Sequence, residues 1–193
     1  LSVFLYGKSV CQGYVKAMQY LLERLGVAST MVVGRVATGE GHAWNLVNID
    51  GAYYYVDPTW GDSSYSADNA AVAASDQEVN YEFLNITTAE LERTHQSTNV
   101  VPLPCCVATE ANYYVMENLY FAGYDEEHLS AVFDDAYASG ERFVTIKCSD
   151  EAVYQNMYNE LLTNQGILDY LPSDVTSIEY VTSEDQRTMS FWL

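Results

Sequence analysis

The apolar positions of the first half of the chain switch from a helical period to a strand period. Across residues 9–25, Val15, Met18, Leu22 and Leu25 recur at three- and four-residue steps and make one stripe, which predicts an amphipathic helix. Ser9 is placed to cap its start and Gly26 to end it, so Cys11 falls in the first turn. Thr30–Val36 is rich in β-branched residues, and after the turn-like Thr38-Gly39-Glu40-Gly41 the run His42–Ile49 predicts a second strand. Asp50-Gly51 is the strongest hairpin signal in the chain. Ala52–Asp57 returns from it with three consecutive tyrosines.

Farther on the pattern thins. Residues 61–79 are small and polar and predict a surface loop. Thr87-Thr88-Ala89-Glu90 has the form of a capping box and predicts a short helix running toward His95. Val100–Pro104 reads as a connector because its prolines end regular structure. Beyond it, Glu126–Ala138 and Asp150–Thr163 predict helices. Arg142–Cys148, Ser177–Thr182 and Arg187–Trp192 predict strands, the last two as a terminal hairpin. The expectation is an α+β chain with a first domain over 1–104 and a smaller α+β accessory region over 105–193.

Composition narrows the partners. The hydrophobic fraction of 49% is enough for a packed core. A net charge of −19 repels phosphate backbones and anionic lipid, so nucleic acid and membrane surfaces are poor partners and basic or neutral polymers fit better. No stretch is long and apolar enough for membrane insertion. The start, Leu1-Ser2-Val3-Phe4-Leu5, has no signal-peptide pattern and reads as a mature or truncated fragment. Four cysteines are too few for a disulfide scaffold, and adjacent Cys105 and Cys106 do not fit metal-ligand spacing. His95 and His128 show no ligand spacing either and read as surface residues.

Cys11 has the informative neighbourhood. A thiol attacks as thiolate, and a helix start favours negative charge through its free N–H groups. A histidine nearby, oriented by a third group, is the second device that activates a cysteine. If Asp50-Gly51 is a two-residue turn, Ile49 faces Ala52, Asp57 falls opposite Trp44, and His42 opposite Thr59. His42, Trp44, Asp57 and Thr59 then share one face. His42 and Asp57 become diagonal neighbours with α-carbons roughly 7–8 Å apart, within reach of a side-chain hydrogen bond. Pattern alone does not bring Cys11 to them; its helix must pack its start against that face. Taken singly, Cys11 is a small hydrophobe and His42 an ordinary strand histidine.

Three segments together resemble the transglutaminase-like branch of the papain-type enzymes in its bacterial form. Gly7-Lys8-Ser9-Val10-Cys11-Gln12-Gly13-Tyr14 is similar to the nucleophile motif, and Gly41-His42-Ala43-Trp44-Asn45 to the histidine motif. Asp50-Gly51 followed by Tyr54-Tyr55-Val56-Asp57-Pro58-Thr59-Trp60 is similar to the hairpin and aspartate motif. The likeness covers roughly residues 3–62 closely, and Asn80–His95 looks like the helix that follows in such proteins. The resemblance implies a papain-like core: a cysteine-bearing helix packed on an antiparallel sheet. Cys11 would be nucleophile, His42 general base and then acid, and Asp57 the orienting carboxylate. The implied activity is a cysteine hydrolase or acyltransferase on protein or peptide amides, with water favoured over an amine as acceptor and no cofactor or metal. Trp44 and Trp60 are candidates to line the substrate cleft, with core packing the alternative. A different class stays open, a catalytically idle module that binds cell-surface polymers. High acidity and few cysteines suit a bacterial secreted or surface-attached protein.

Overall fold

The computed structural model describes residues 2–7, 9–62, 79–98 and 100–193. Lys8 and most of the expected polar loop, residues 63–78, lie outside them. The chain is mixed α+β and divides into two compact units, Leu1–Tyr113 and Tyr114–Leu193. Residues 105–113 go with the first unit. The Thr88 N–H donates to the Cys106 carbonyl, the Cys106 N–H donates to Thr88 Oγ1, and Asn85 Nδ2 donates to the Ala111 carbonyl.

Unit 1 opens with a short helix α1 (Ser2–Tyr6) and then α2 (Cys11–Arg24). The residue before α2 is Val10, with no side-chain cap. Ser9, expected as the cap, instead bonds Ser2, Oγ to Oγ, at 2.7 Å. Gly26 ends the helix at φ 77°, with its N–H on the Glu23 carbonyl and that of Val27 on the Leu22 carbonyl. That is the paired bonding of a left-handed C-terminal stop. Val15 is buried, and Met18 and Leu22 pack on the sheet. Leu25 lies past the last turn and is exposed, so the expected stripe is one residue too long.

The sheet comprises β1 (Ala28–Val36), β2 (Gly41–Ile49), β3 (Ala52–Val56), β4 (Leu84–Ile86) and β5 (His95–Ser97). Its order is β4-β3-β2-β1-β5, antiparallel throughout. Asp50 and Gly51 both take positive φ, 52° and 89°, as the tight hairpin turn requires. Ile49 pairs with Ala52, and the register runs without a slip to Asn45 opposite Val56. The ladder stops there, and Asp57 begins a turn.

Both faces of this sheet are covered, which buries Tyr54 and Tyr55 alike while Tyr53 near the turn stays exposed. On one face Met18 and Leu22 of α2 pack with Val47, Tyr54 and Val56, and Asn45 Nδ2 donates to the Val15 carbonyl. The other carries Trp44, Leu46 and Tyr55 with Phe83, Leu91 and Cys106. The capping box is present as expected: Thr87 accepts from the Glu90 N–H, and Glu90 accepts from the Thr87 N–H. The helix it starts, α3 (Thr88–Leu91), is only one turn long. The single helix expected over Asn80–His95 is therefore β4, α3 and the start of β5.

Unit 2 contains α4 (Tyr113–Met116, which begins on the last residue of unit 1), β6 (Tyr120–Phe121), α5 (Glu126–Ser139), β7 (Phe143–Cys148), α6 (Glu151–Tyr158), β8 (Glu179–Ser183) and β9 (Thr188–Trp192). Its sheet runs β6-β7-β9-β8, with the terminal hairpin antiparallel as expected. Asp125 caps α5 by accepting the His128 N–H. The second predicted helix runs to its expected end, its last five residues, Asn159–Thr163, as a π-helical turn continuous with α6. Phe121, Leu129, Phe133, Ile146, Met157 and Phe191 centre its own core. Cys148 is buried there, and burial, with Asp150 nearby, pushes its thiol up to about 12.

Candidate functional site

His42 stands one residue into β2, and Asp57 is the first residue after β3. The hairpin register brings them together: His42 Nε2 lies 2.6 Å from Asp57 Oδ2. The turn following β3 holds the other oxygen, because Asp57 Oδ1 accepts the N–H of Thr59 at 2.9 Å and of Trp60 at 3.3 Å. This side-chain turn fixes the carboxylate as part of the backbone geometry. His42 uses one ring nitrogen on Asp57, and its Nδ1 makes no hydrogen bond among the described residues.

A second histidine enters the site. His95 Nε2 lies 3.2 Å from the same Asp57 Oδ2, and its Nδ1 lies 2.8 Å from Thr94 Oγ1. The surface position expected for His95 is wrong: its side chain is fully enclosed, as is that of Asp57. The reason is topological. His95 opens β5, which pairs with β1 through Val36↔His95 and Gly34↔Ser97 and carries the residue inward. A three-residue strand is too short to show a period, so the sequence offered only the one-turn helix before it as a clue. His128 is partly exposed, stacked on Phe121 with ring centroids 4.1 Å apart.

Aromatic rings close the cluster. Trp60 lies 4.5 Å from His95 and 5.8 Å from His42, centroid to centroid, and Phe83 lies 5.5 Å from His95. Trp44 is completely buried, 4.9 Å from the His95 ring, so it packs beneath the site and does not line a cleft. Trp60 keeps some exposure and is the one of the two that can meet a ligand. Burial alone would raise the Asp57 carboxyl. The hydrogen bonds and charges of His42 and His95 together outweigh it and hold the group below the usual carboxylate range.

The donor atoms of His42, Asp57 and His95 lie within 4.8 Å of one another, and they are of the kind zinc accepts. In the structure these atoms meet one another directly, both imidazole Nε2 atoms on Asp57 Oδ2.

Cys11 is not in that cluster. It opens α2 and is partly exposed, and its thiol makes no hydrogen bond among the described residues. Side-chain alternation gives His42 the parity of Trp44, whereas the body of α2 covers the face of Asn45 and Val47. The requirement on the helix is that its start reach the His42 face; its body lies on the opposite one. Its first turns are nonetheless tied to the aspartate turn: Tyr14 donates its hydroxyl to Asp62 Oδ2 at 2.5 Å. Gly13 allows the preceding chain to fold back, because a Cβ there would meet Ser9 Oγ at 1.9 Å.

Comparison with protein-family models and with characterised proteins finds no match for this chain. Among the described residues no helix is long and apolar enough to cross a membrane.

Proposed function

We propose that the chain is a cysteine-nucleophile hydrolase or acyltransferase for protein or peptide amides, built on a papain-like core of the transglutaminase-like kind. The observation that carries the reading is the part-buried 2.6 Å contact between His42 and Asp57, made through Nε2 so that Nδ1 is left for a thiol. It agrees with the motif resemblance around Cys11, His42 and Asp57, and with the bond from Tyr14 that ties the start of the cysteine helix to the turn after Asp57.

In this reading Cys11 transfers its proton to His42 Nδ1, and Asp57 stabilises the resulting imidazolium. The thiolate adds to the amide carbonyl. His42 returns the proton to the leaving amine as the C–N bond breaks, giving an acyl-enzyme. Water, deprotonated by His42, then releases the acid and the thiol. An amine in place of water would give a new amide. Hydrolysis is favoured, since water needs no acceptor channel. The acidic surface fits a bacterial protein working outside the cell or at its surface, on neutral or basic peptides.

A second reading has one observation behind it: the Cys11 thiol does not bond the imidazole. On that reading the domain is an idle binding module. Iodoacetamide at about pH 6 separates the two, because only a thiolate reacts. Preferential modification of Cys11 that is lost in His42→Ala supports catalysis. Equal, slow modification of Cys11 and the exposed Cys105 supports the idle module.

A further inference from the structure

Resting on the reading of Cys11, His42 and Asp57 as the reacting site, we propose that His95 is a fourth member. It is a positioning residue that, as a neutral imidazole with its proton on Nε2, keeps Asp57 a carboxylate aimed at His42.

The argument starts from the enclosure. Asp57 has no exposed side-chain surface, and a buried carboxylate persists only where donors replace its lost water. A carboxylate accepts about four hydrogen bonds. Asp57 receives four: two from the Thr59 and Trp60 backbone on Oδ1, one each from His42 and His95 on Oδ2. An ionised carboxylate has no proton to give, so His95 Nε2 must carry the hydrogen. Its Nδ1 then accepts from Thr94, whose hydroxyl lies 2.8 Å from the ring and 3.4 Å from its other acceptor, the Leu91 carbonyl. Both ring nitrogens are thus satisfied without a net charge, among Trp44, Trp60 and Phe83.

The two histidines therefore divide the work. Of the described side chains, His42 and His95 are the two that bond Asp57, both on Oδ2. Two imidazolium rings 5.5 Å apart on one carboxylate oxygen would repel. His42 retains some exposure and an unengaged Nδ1, so it is the ring placed to meet a reacting group. His95 sits on a strand, wholly buried and bonded at both ends, so it is the ring that stays fixed. A residue needed only to fill space would require neither Thr94 nor the aim at Asp57.

The test uses the full chain with three substitutions. His95→Phe keeps a ring without a donor, His95→Met supplies a more adaptable donor-free filler if the first does not fold, and His95→Gln keeps an N–H. Carboxyl carbon NMR on aspartate-labelled protein follows Asp57, assigned by its loss in Asp57→Asn, and iodoacetamide labelling follows Cys11. In the donor-free variants Asp57 should take up its proton at least about one pH unit higher. Cys11 labelling at about pH 6 should slow about tenfold. His95→Gln should restore most of both. An unchanged Asp57 titration, or Gln behaving like Phe or Met, would overturn the proposal. If wild-type Cys11 labels no faster than Cys105, the triad reading fails by itself, and the Asp57 titration still decides whether His95 holds the carboxylate.

Discussion

The Tyr14 hydroxyl donates to the Asp62 carboxylate at 2.5 Å across 48 residues of sequence, joining the start of the cysteine helix to the turn that presents Asp57. Tyr14 stands one turn along from Cys11. Tyr14→Phe removes a hydrogen bond to a charged group and little volume. It should cost about 1.5–3 kcal/mol, less if Asp62 regains water. If the bond also sets the approach of Cys11 to His42, labelling of Cys11 slows in the folded variant while the exposed Cys105 is unaffected. Thermal melts and labelling rates on the same preparation separate the two effects.

The four cysteines should divide into two classes. Cys11 and Cys105 have exposed surface, whereas Cys106 and Cys148 are buried with thiols pushed up by burial. Native protein in excess iodoacetamide should take up two labels, located by peptide mass mapping, and four after denaturation. At about pH 6 the Cys11 adduct should form first and depend on His42. Fast labelling of Cys148 would mean that the core of the second unit opens far more readily than its packing indicates.

Asp57 ties stability to pH. Its folded carboxyl lies below the ordinary value, so the unfolded chain binds more protons between the two values. The stabilisation is complete above the unfolded value of about 3.9 and is lost as pH falls through the folded one. Asp57→Asn should lower the melting temperature at neutral pH and abolish catalysis by about 10²-fold or more. The gap in melting temperature between wild type and this variant should narrow below about pH 4. A gap that held constant down to about pH 2 would show that Asp57 contributes through shape and not through charge.

The parts of this site that could be read from the sequence are those fixed by local chemistry. Asp50-Gly51 allows one tight turn, and that turn alone set the register that brings His42 to Asp57. Thr87 and Glu90 form their capping box from four residues. What could not be read depends on distant pairing. His95 is buried because β5 joins the far edge of β1, a contact between segments about 60 residues apart that leaves no periodic trace in three residues. Leu25 and Tyr55 show the same limit: one is exposed by where its helix stops, the other buried because the sheet is covered on both faces. The relation of Cys11 to the imidazole is tertiary packing, and the motif spacing carried no information about it.

Gly34 is where that distant pairing is most exposed to a single change. It lies on β1 opposite His42 on one side and Ser97 on the other. A Cβ at this position would meet the Gln96 carbonyl oxygen at 2.1 Å and the far edge of the Trp44 ring at 2.5 Å. The carbonyl belongs to backbone and Trp44 is fully buried, so neither can swing away. Gly34→Ala must push β5 outward, and His95 starts that strand. Overpacking of this kind costs about 1–3 kcal/mol, with the upper end expected where backbone is displaced. The same displacement draws His95 Nε2 off Asp57, so the variant should share the Asp57 titration of His95→Phe although it alters no polar group. A Gly34→Ala protein that melts early yet keeps the wild-type Asp57 titration would show that the His95 contact tolerates movement of its strand.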